Sequence, residues 1–391
     1  MISDEYLEEL AEGAGMIAAD LSDQIIREVV SRFVARFART GDISFTRTDV
    51  LQLQILQEAG YLLADIRKLI IQATRVQARK IDEALRDAGV TALKNDNAIY
   101  HRVGLPVSEL SPPMLRLISR QYEATMGLWF NYTRTTAISA QQAYITACDR
   151  AVNLVASGAM SYTQAVMEGL RTIPKNADMV LYDSGHRDTI ETATLRAVRT
   201  SAGQTAGQVT AMRAAENNVH LMIVSSHIGA RPEHALWQGK VYYVDWLSMR
   251  IATGIDYPLV EDDPVLRAQY PDFVEKTQIG TVTGLHGVNC RHSEAPFFDG
   301  ISQNPFEEID EKANLRKYKE TQKARSMERE IRADKRELMG LEELLRAAPN
   351  NEEVREKHDK LLGQLRRETS RYYSYMAAVG MKPREISLLY V

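Results

Sequence analysis

"LQLQILQEAGYLLADIRKLIIQATRVQARKIDEALRD", residues 51–87, contains no proline and places Leu51, Ile55, Leu62, Ile66, Leu69, Ala73 and Val76 at steps of three, four and seven. Apolar side chains at that spacing line one side of an α-helix, and a seven-residue rhythm keeps that side turned to a neighbour. The stretch predicts one long helix, from about Thr48 to Asp87, packing on others at shallow angles.

The same texture extends both ways. Upstream, Ile26, Val30, Phe33 and Phe37 draw a second stripe that ends in a break at "TGDISFT" (40–46). Downstream, "LSPPMLRLISRQ" (110–121) sets Ser111 at a cap position and a proline at the first helical position, and a third long segment runs from there to Gly158. Residues 1–173 read as a helical domain.

After Pro174 the pattern changes. "ADMVLYDSG" (177–185), "NNVHLMIVSSH" (217–227) and "GKVYYVDW" (239–246) are short strand-like runs, with a helix over Thr189–Asn217 between the first two. Glycine and proline are dense from Gly229 to Pro305, so residues 174–305 read as a loop-rich α+β module. Residues 306–391 return to helix. Met327, Ile331, Leu338, Leu341 and Leu345 fit a heptad interrupted by Asp334, and after "AAPNN" (347–351) Val354, His358, Leu361, Leu365, Tyr372 and Tyr375 continue one. Two such helices joined by a tight turn make an antiparallel hairpin, followed by a tail. The fold class is therefore mainly α with a central α+β domain.

Composition narrows the function classes. The 391 residues carry a formal charge of −4, which gives no global basic field, so contact with nucleic acid must rest on a local patch. Cys148 and Cys290 lie far apart, and Cys148 falls in the helical run "AYITACDRAVNLV", where it reads as a small buried apolar residue rather than half of a disulfide. No window approaches the roughly 20 apolar residues of a membrane span, and the N-terminal residues lack the basic and apolar regions of a secretory signal. A reducing, aqueous compartment is expected.

Chemistry-bearing side chains gather in the α+β module. Five of the eight histidines are His220, His227, His234, His286 and His292, and "LHGVNCRHSEAPFFDG" (285–300) adds Cys290, Arg291 and Asp299. A zinc-type site drawn from His286, Cys290 and His292, completed by His234 or His227, is one reading, although H-x3-C-x-H is not a usual zinc spacing. A Cys290–His292 nucleophile is a second, and it lacks an obvious third group to orient the base. Phosphate binding by His227, Arg231, His234 and Arg291 is a third, without any glycine-rich phosphate loop to support it. The reading the spacing supports best is structural: these groups tie long loops together by buried hydrogen bonds, with no cofactor. Trp237, Tyr242, Tyr243 and Trp246 read as packing aromatics rather than a base-stacking platform.

Two stretches carry a resemblance. "SSHIGARPEHALWQGKVYYV" (225–244) followed by "GVNCRHSEAPFFDGIS" (287–302) resembles the signature of the phage minor capsid protein 2 family, itself similar to Mu F-type head morphogenesis proteins. The matching positions are Arg199 and Thr200 on a helix, then His227, Arg231, His234, Trp237, Gln238 and Gly239, and the closing Asn289, Cys290, Arg291 and His292 with Asp299. The resemblance implies a structural protein of a tailed-phage or prophage head, made in the bacterial cytoplasm and assembled with portal and capsid proteins. It implies no established reaction; contact with packaged DNA and self-association stay open, and the alternative is a head-carried enzyme or nucleic-acid-processing domain using the His/Arg/Cys cluster. Asn289, Arg291 and Asp299 are expected to hold the edge of the α+β domain against the "ARPEHALWQG" loop.

Overall fold

Helix and strand positions follow the local signals closely in the computed structural model, which describes residues 1–40 and 48–383. The break after Thr40 and the end of the C-terminal tail lie outside the described residues. In chain order the long helices of the first half are α1 (Asp4–Thr40), α2 (Thr48–Arg102) and α3 (Pro112–Ala156), followed by α4 (Tyr162–Thr172). Next come β1 (Met179–Leu181), β2 (Arg187–Thr189), α5 (Ile190–Glu216), β3 (Leu221–Val224), α6 (Pro232–Ala235) and β4 (Val241–Tyr243). The remainder is α7 (Trp246–Thr253), α8 (Pro264–Gln269), α9 (Phe273–Thr277), β5 (Glu294–Pro296), α10 (Glu311–Ala347) and α11 (Glu352–Ala378). None of the described helices is long and apolar enough to cross a membrane.

The expected end of α2 at Asp87 is overtaken, because the helix runs on to Arg102. Gly89 does not stop it: a Cβ there would lie 2.8 Å from Cδ1 of Ile118, so the missing side chain is a seat for α3. Gly104, at φ 78°, follows the actual end, and the N–H of Leu105 returns to the carbonyl of Tyr100.

Packing divides the described chain into two compact units, each built from three separated stretches. One unit comprises Met1–Gly15, Gln77–Leu128 and Thr194–Thr321. Its core takes Leu7 and Ala11 from α1, Ile81, Leu85 and Ala88 from α2, Met114 and Ile118 from α3, and the small buried residues Ala202, Ala206, Ala211 and Ala214 of α5. Their short side chains let α5 be buried nearly all round. A three-stranded antiparallel sheet in the order β4-β3-β5 completes the unit, with Met222 opposite both Tyr242 and Pro296. All four residues of β3 are buried, which fits a central strand.

The other unit comprises Met16–Val76, Trp129–Ala193 and Gln322–Val391. Leu21, Ile25, Ile26, Val29, Val30, Phe33 and Phe37 bury a wide stripe of α1. Phe33 sits on α4 at Gly169, where a Cβ would meet its ring at 2.4 Å. Ser161 and Gln164 form a reciprocal capping box at the start of α4, and β1 pairs with β2 as an antiparallel hairpin. Cys148 is fully buried, as its helical context predicts.

Helices α10 and α11 run antiparallel. Tyr372 donates to Glu328 at 2.9 Å, Gln364 to Asp334 at 2.8 Å, and Lys357 faces Glu337 at 3.6 Å, so partners descend one helix as they climb the other. Ile331, Tyr372 and Met376 share a buried cluster, and the polar interruption at Asp334 is answered by Gln364. Within this unit Arg336 is buried with its Nη1 3.0 Å from Oδ2 of Asp178 and its Nη2 donating to Ser22 at 2.7 Å.

Candidate functional site

Two loops frame the cluster, and each is shaped by its own backbone. After β3, the N–H of Ser225 donates to the carbonyl of Ser293 at 2.7 Å and Ser293 donates back to Oγ of Ser225 at 2.9 Å, stitching the exit of β3 to the approach to β5. Pro232 opens the single turn of α6, which carries His234 inward, and Gly239 turns the chain into β4 at φ 69°.

The second loop, 279–293, folds on itself. Leu285 donates to the carbonyl of Thr277 and Val288 to that of Val282, both at 2.9 Å. Gly284 and Gly287 are required by close backbone approach, since a Cβ would fall 1.9 Å from the carbonyl oxygen of Gln278 and 2.4 Å from that of Val282. His286 and Asn289 are non-glycine residues at φ 58° and 57°, an unusual conformation held here by that self-wrapped loop.

These loops bring His234, Cys290 and His292 together, with one ligand atom of each within 4.8 Å of the others. Sγ of Cys290 lies 3.7 Å from Nδ1 of His292. The rings of His227 and His292 stack with centroids 4.4 Å apart, and Trp237 meets His292 edge-on at 4.7 Å. His234 faces the carbonyl oxygen of Thr283 at 2.8 Å, and Arg231 donates to the carbonyl of Val288. Gln238 accepts from the backbone N–H of His227 at 3.0 Å and lies 3.1 Å from His292.

The environment is dry. His292 is 1% exposed, His234 2% and Cys290 5%. Burial, with His227 and His234 close by, drives the His292 imidazolium well below its ordinary range, and burial likewise lowers His234 and His227. Burial pushes the Cys290 thiol up to about 11, so it is protonated at neutral pH, the opposite of what an activated nucleophile needs.

The other residues singled out in the sequence are placed apart. His286 turns away from the cysteine and pairs with Glu294 at 2.6 Å, while Gln204 of α5 donates to its carbonyl at 3.0 Å. Arg291 does not reach the "ARPEHALWQG" loop. It pairs with Asp4 and Glu8 of α1, each at 2.8 Å. Arg199 pairs with the same Glu8 and donates to Asn289 at 3.4 Å, burial lowering its guanidinium against the pull of that carboxylate. Thr200 keeps its hydroxyl buried beside it, and Asp299 accepts from Tyr270 at 2.7 Å on the surface. The loop-to-loop ties expected of Asn289, Arg291 and Asp299 are made by Arg231, His234 and Gln238.

Glu294, Glu8, Asp4 and Thr283 are partners that residue type and spacing did not single out. Glu294 sits in the quoted "RHSEAPFF", but only the pairing of β5 with β3 explains why a carboxylate there is 3% exposed.

The sequence profile of the family described as phage minor capsid protein 2 matches residues 2–366. A structural protein of Lactococcus phage LL-H is 21% identical over 291 residues, which cover 72% of this chain and 74% of that protein. No solved structure matches the chain. The profile takes in both loops, the charged ties to α1 and nearly all of the helical framework around them, and on that match the chain belongs to the phage minor capsid protein 2 family.

Proposed function

We propose that the chain is a minor structural component of a tailed-phage or prophage head, assembling with portal and capsid proteins. The observation that carries the reading is the family match across residues 2–366. The geometry agrees with it. The conspicuous histidine, cysteine and arginine side chains are spent on holding the loops that flank β3 and β5, and α1 of the same unit, together, as a rigid docking module requires. Leu247 and Ile251, one turn apart on α7, stand 57% and 77% exposed and offer apolar surface that a partner would cover. The alternative of a head-carried enzyme gains nothing from Cys290, whose thiol stays protonated.

The test is quantitative mass spectrometry of purified particles and head precursors from producing cells. The expected result is the protein in both, far less abundant than the major capsid protein and co-purifying with portal. Recovery in the soluble lysate alone, with particles and precursors free of it, overturns the reading.

A further inference from the structure

Two histidines of the buried cluster have their ring protons fixed by unrelated neighbours. The side-chain oxygen of Gln238 accepts the backbone N–H of His227 at 3.0 Å. A backbone N–H only donates, so the amide atom facing it is oxygen and not nitrogen. That same oxygen stands 3.1 Å from Nε2 of His292, which must therefore carry the proton and donate it. Nδ1 of His292 therefore carries no proton and accepts the Cys290 thiol, Sγ lying 3.7 Å away, so its lone pair is released when that thiol proton leaves. His234 repeats the arrangement: its Nε2 lies 2.8 Å from the carbonyl oxygen of Thr283, which only accepts, so Nδ1 is the nitrogen with a free lone pair. Histidines that ligate metals characteristically donate their other ring N–H to an oxygen in this way.

A third ring completes the set. Nδ1 of His227 faces the carbonyl of Ile228 at 3.4 Å, and its Nε2 is buried with no hydrogen-bond partner, although the ring stacks directly on His292. A buried nitrogen without a partner in a dry cluster is costly unless something occupies its lone pair.

We propose that His234, Cys290 and His292, closed by His227, bind one divalent transition-metal ion of the zinc class. Three imidazoles and a thiolate form a borderline-soft donor set that suits zinc and not the oxygen-seeking calcium or magnesium. Neighbouring ligand atoms of a tetrahedral zinc stand roughly 3.3–3.7 Å apart, as bonds of about 2.0–2.3 Å dictate. The Cys290–His292 edge is already at that spacing, and the ligand atoms of His234, Cys290 and His292, spread within 4.8 Å, need to close by about 1 Å, while His227, outside that group and stacked on His292, has to turn in to complete it. On binding, the Cys290 sulfur–hydrogen bond is exchanged for a metal–sulfur bond and the proton leaves to solvent; the neutral histidines lose none. The ion would clamp the 227–239 loop to the 283–292 loop, a structural metal and not a catalytic one, since all four positions are filled by protein.

The experiment uses the full chain, produced without a metal-binding tag and purified without strong chelators. Elemental analysis is expected to give about one zinc per chain. Cys290→Ser and His292→Ala are expected to fall near zero, and His227→Ala to weaken zinc at least tenfold in competition with a chromophoric chelator. Because a ligand variant can fail to fold, wild-type protein is also stripped and titrated with cobalt(II), where a sulfur-to-cobalt charge-transfer band saturating at one equivalent is expected. Wild-type protein free of zinc and without a saturable cobalt spectrum overturns the proposal, as does a folded Cys290→Ser that keeps its full zinc. Unchanged zinc affinity in His227→Ala overturns the four-ligand site.

Discussion

Nε2 of His286 stands 2.6 Å from Oε2 of Glu294, and the pair closes over the bare Cα of Gly207. A Cβ at that position would lie 2.2 Å from the imidazole nitrogen and 2.7 Å from the other carboxylate oxygen. His286 cannot easily retreat, because its own backbone is held in the left-handed region. Gly207→Ala should therefore lower stability by about 1–3 kcal/mol through overpacking, although alanine favours a helix. Gly60 is the control: it lies in α2 with nothing near its absent Cβ, and Gly60→Ala should raise stability by about 0.5–1 kcal/mol. Chemical denaturation of both variants reads the opposite signs; equal signs would show that the His286–Glu294 pair does not set the need for glycine.

Asp23 supplies a pH dependence. The buried group around Arg336 also holds Asp178, and Arg332 pairs with Glu191 at 2.5 Å, so Asp23, 3.9 Å from Arg336, is the carboxylate left over. Burial pushes it up to about 6; Arg336 and Arg27 pull against this, while Glu191 and Asp178 add to it. A carboxyl held above its unfolded value binds its proton more tightly when folded, so its contribution is full below about pH 4 and is lost as pH rises through about 6. Asp23→Asn should match the wild type near pH 4 and exceed it by on the order of 1–3 kcal/mol above pH 7. Denaturation across that range is the measurement, and a difference independent of pH would mean that Asp23 keeps ordinary acidity.

Glu8 is shared by two guanidinium groups of unequal burial, Arg199 at 8% exposure and Arg291 at 26%. Removing Arg291 leaves Glu8 with Arg199, so Arg291→Ala should cost only about 1 kcal/mol. Removing Glu8 strands Arg199 inside the protein, and Glu8→Ala should cost roughly 3–5 kcal/mol. Thermal unfolding of the two variants ranks them, and a larger loss for Arg291→Ala would refute the assignment of Glu8 as the counter-charge to Arg199.

Regular periodicity was legible and tertiary pairing was not. The stripes of α1, α2 and the α10–α11 hairpin could be read because one apolar face repeats for many turns, and even Asp334 shows as an interruption. The reading fails at Val76, which is 41% exposed while Gln77 beside it is fully buried. There α2 passes from the stretch Met16–Val76 to the one beginning at Gln77, and its buried positions then follow Ile81, Leu85 and Ala88. A heptad drawn from one end does not anticipate a change of partners. Texture along the chain also favours consecutive segments and is blind to which stretches meet in space. The three-residue strands β2 and β5 are too short to alternate visibly, and without β5 there is no reason to bury Glu294 or to join it to His286. Within the cluster, His234, Cys290 and His292 were among the candidates because of residue type; that His286 stands apart depends on a backbone turn the sequence does not display.

Because each unit is assembled from three stretches, any single cut between residues 16 and 321 divides both of them. On the ribosome, Leu7 must wait for roughly 300 further residues before its unit is complete, on the order of 15–60 s at ordinary elongation rates. During that interval the apolar side chains of Leu7 and Ala11 wait for their last partners, so slow synthesis with chaperones present should favour recovery of intact chain. Truncation series are for the same reason a poor way to map docking: a shortened chain loses pieces of its own core, and its failure to join a particle reports misfolding before it reports a missing contact.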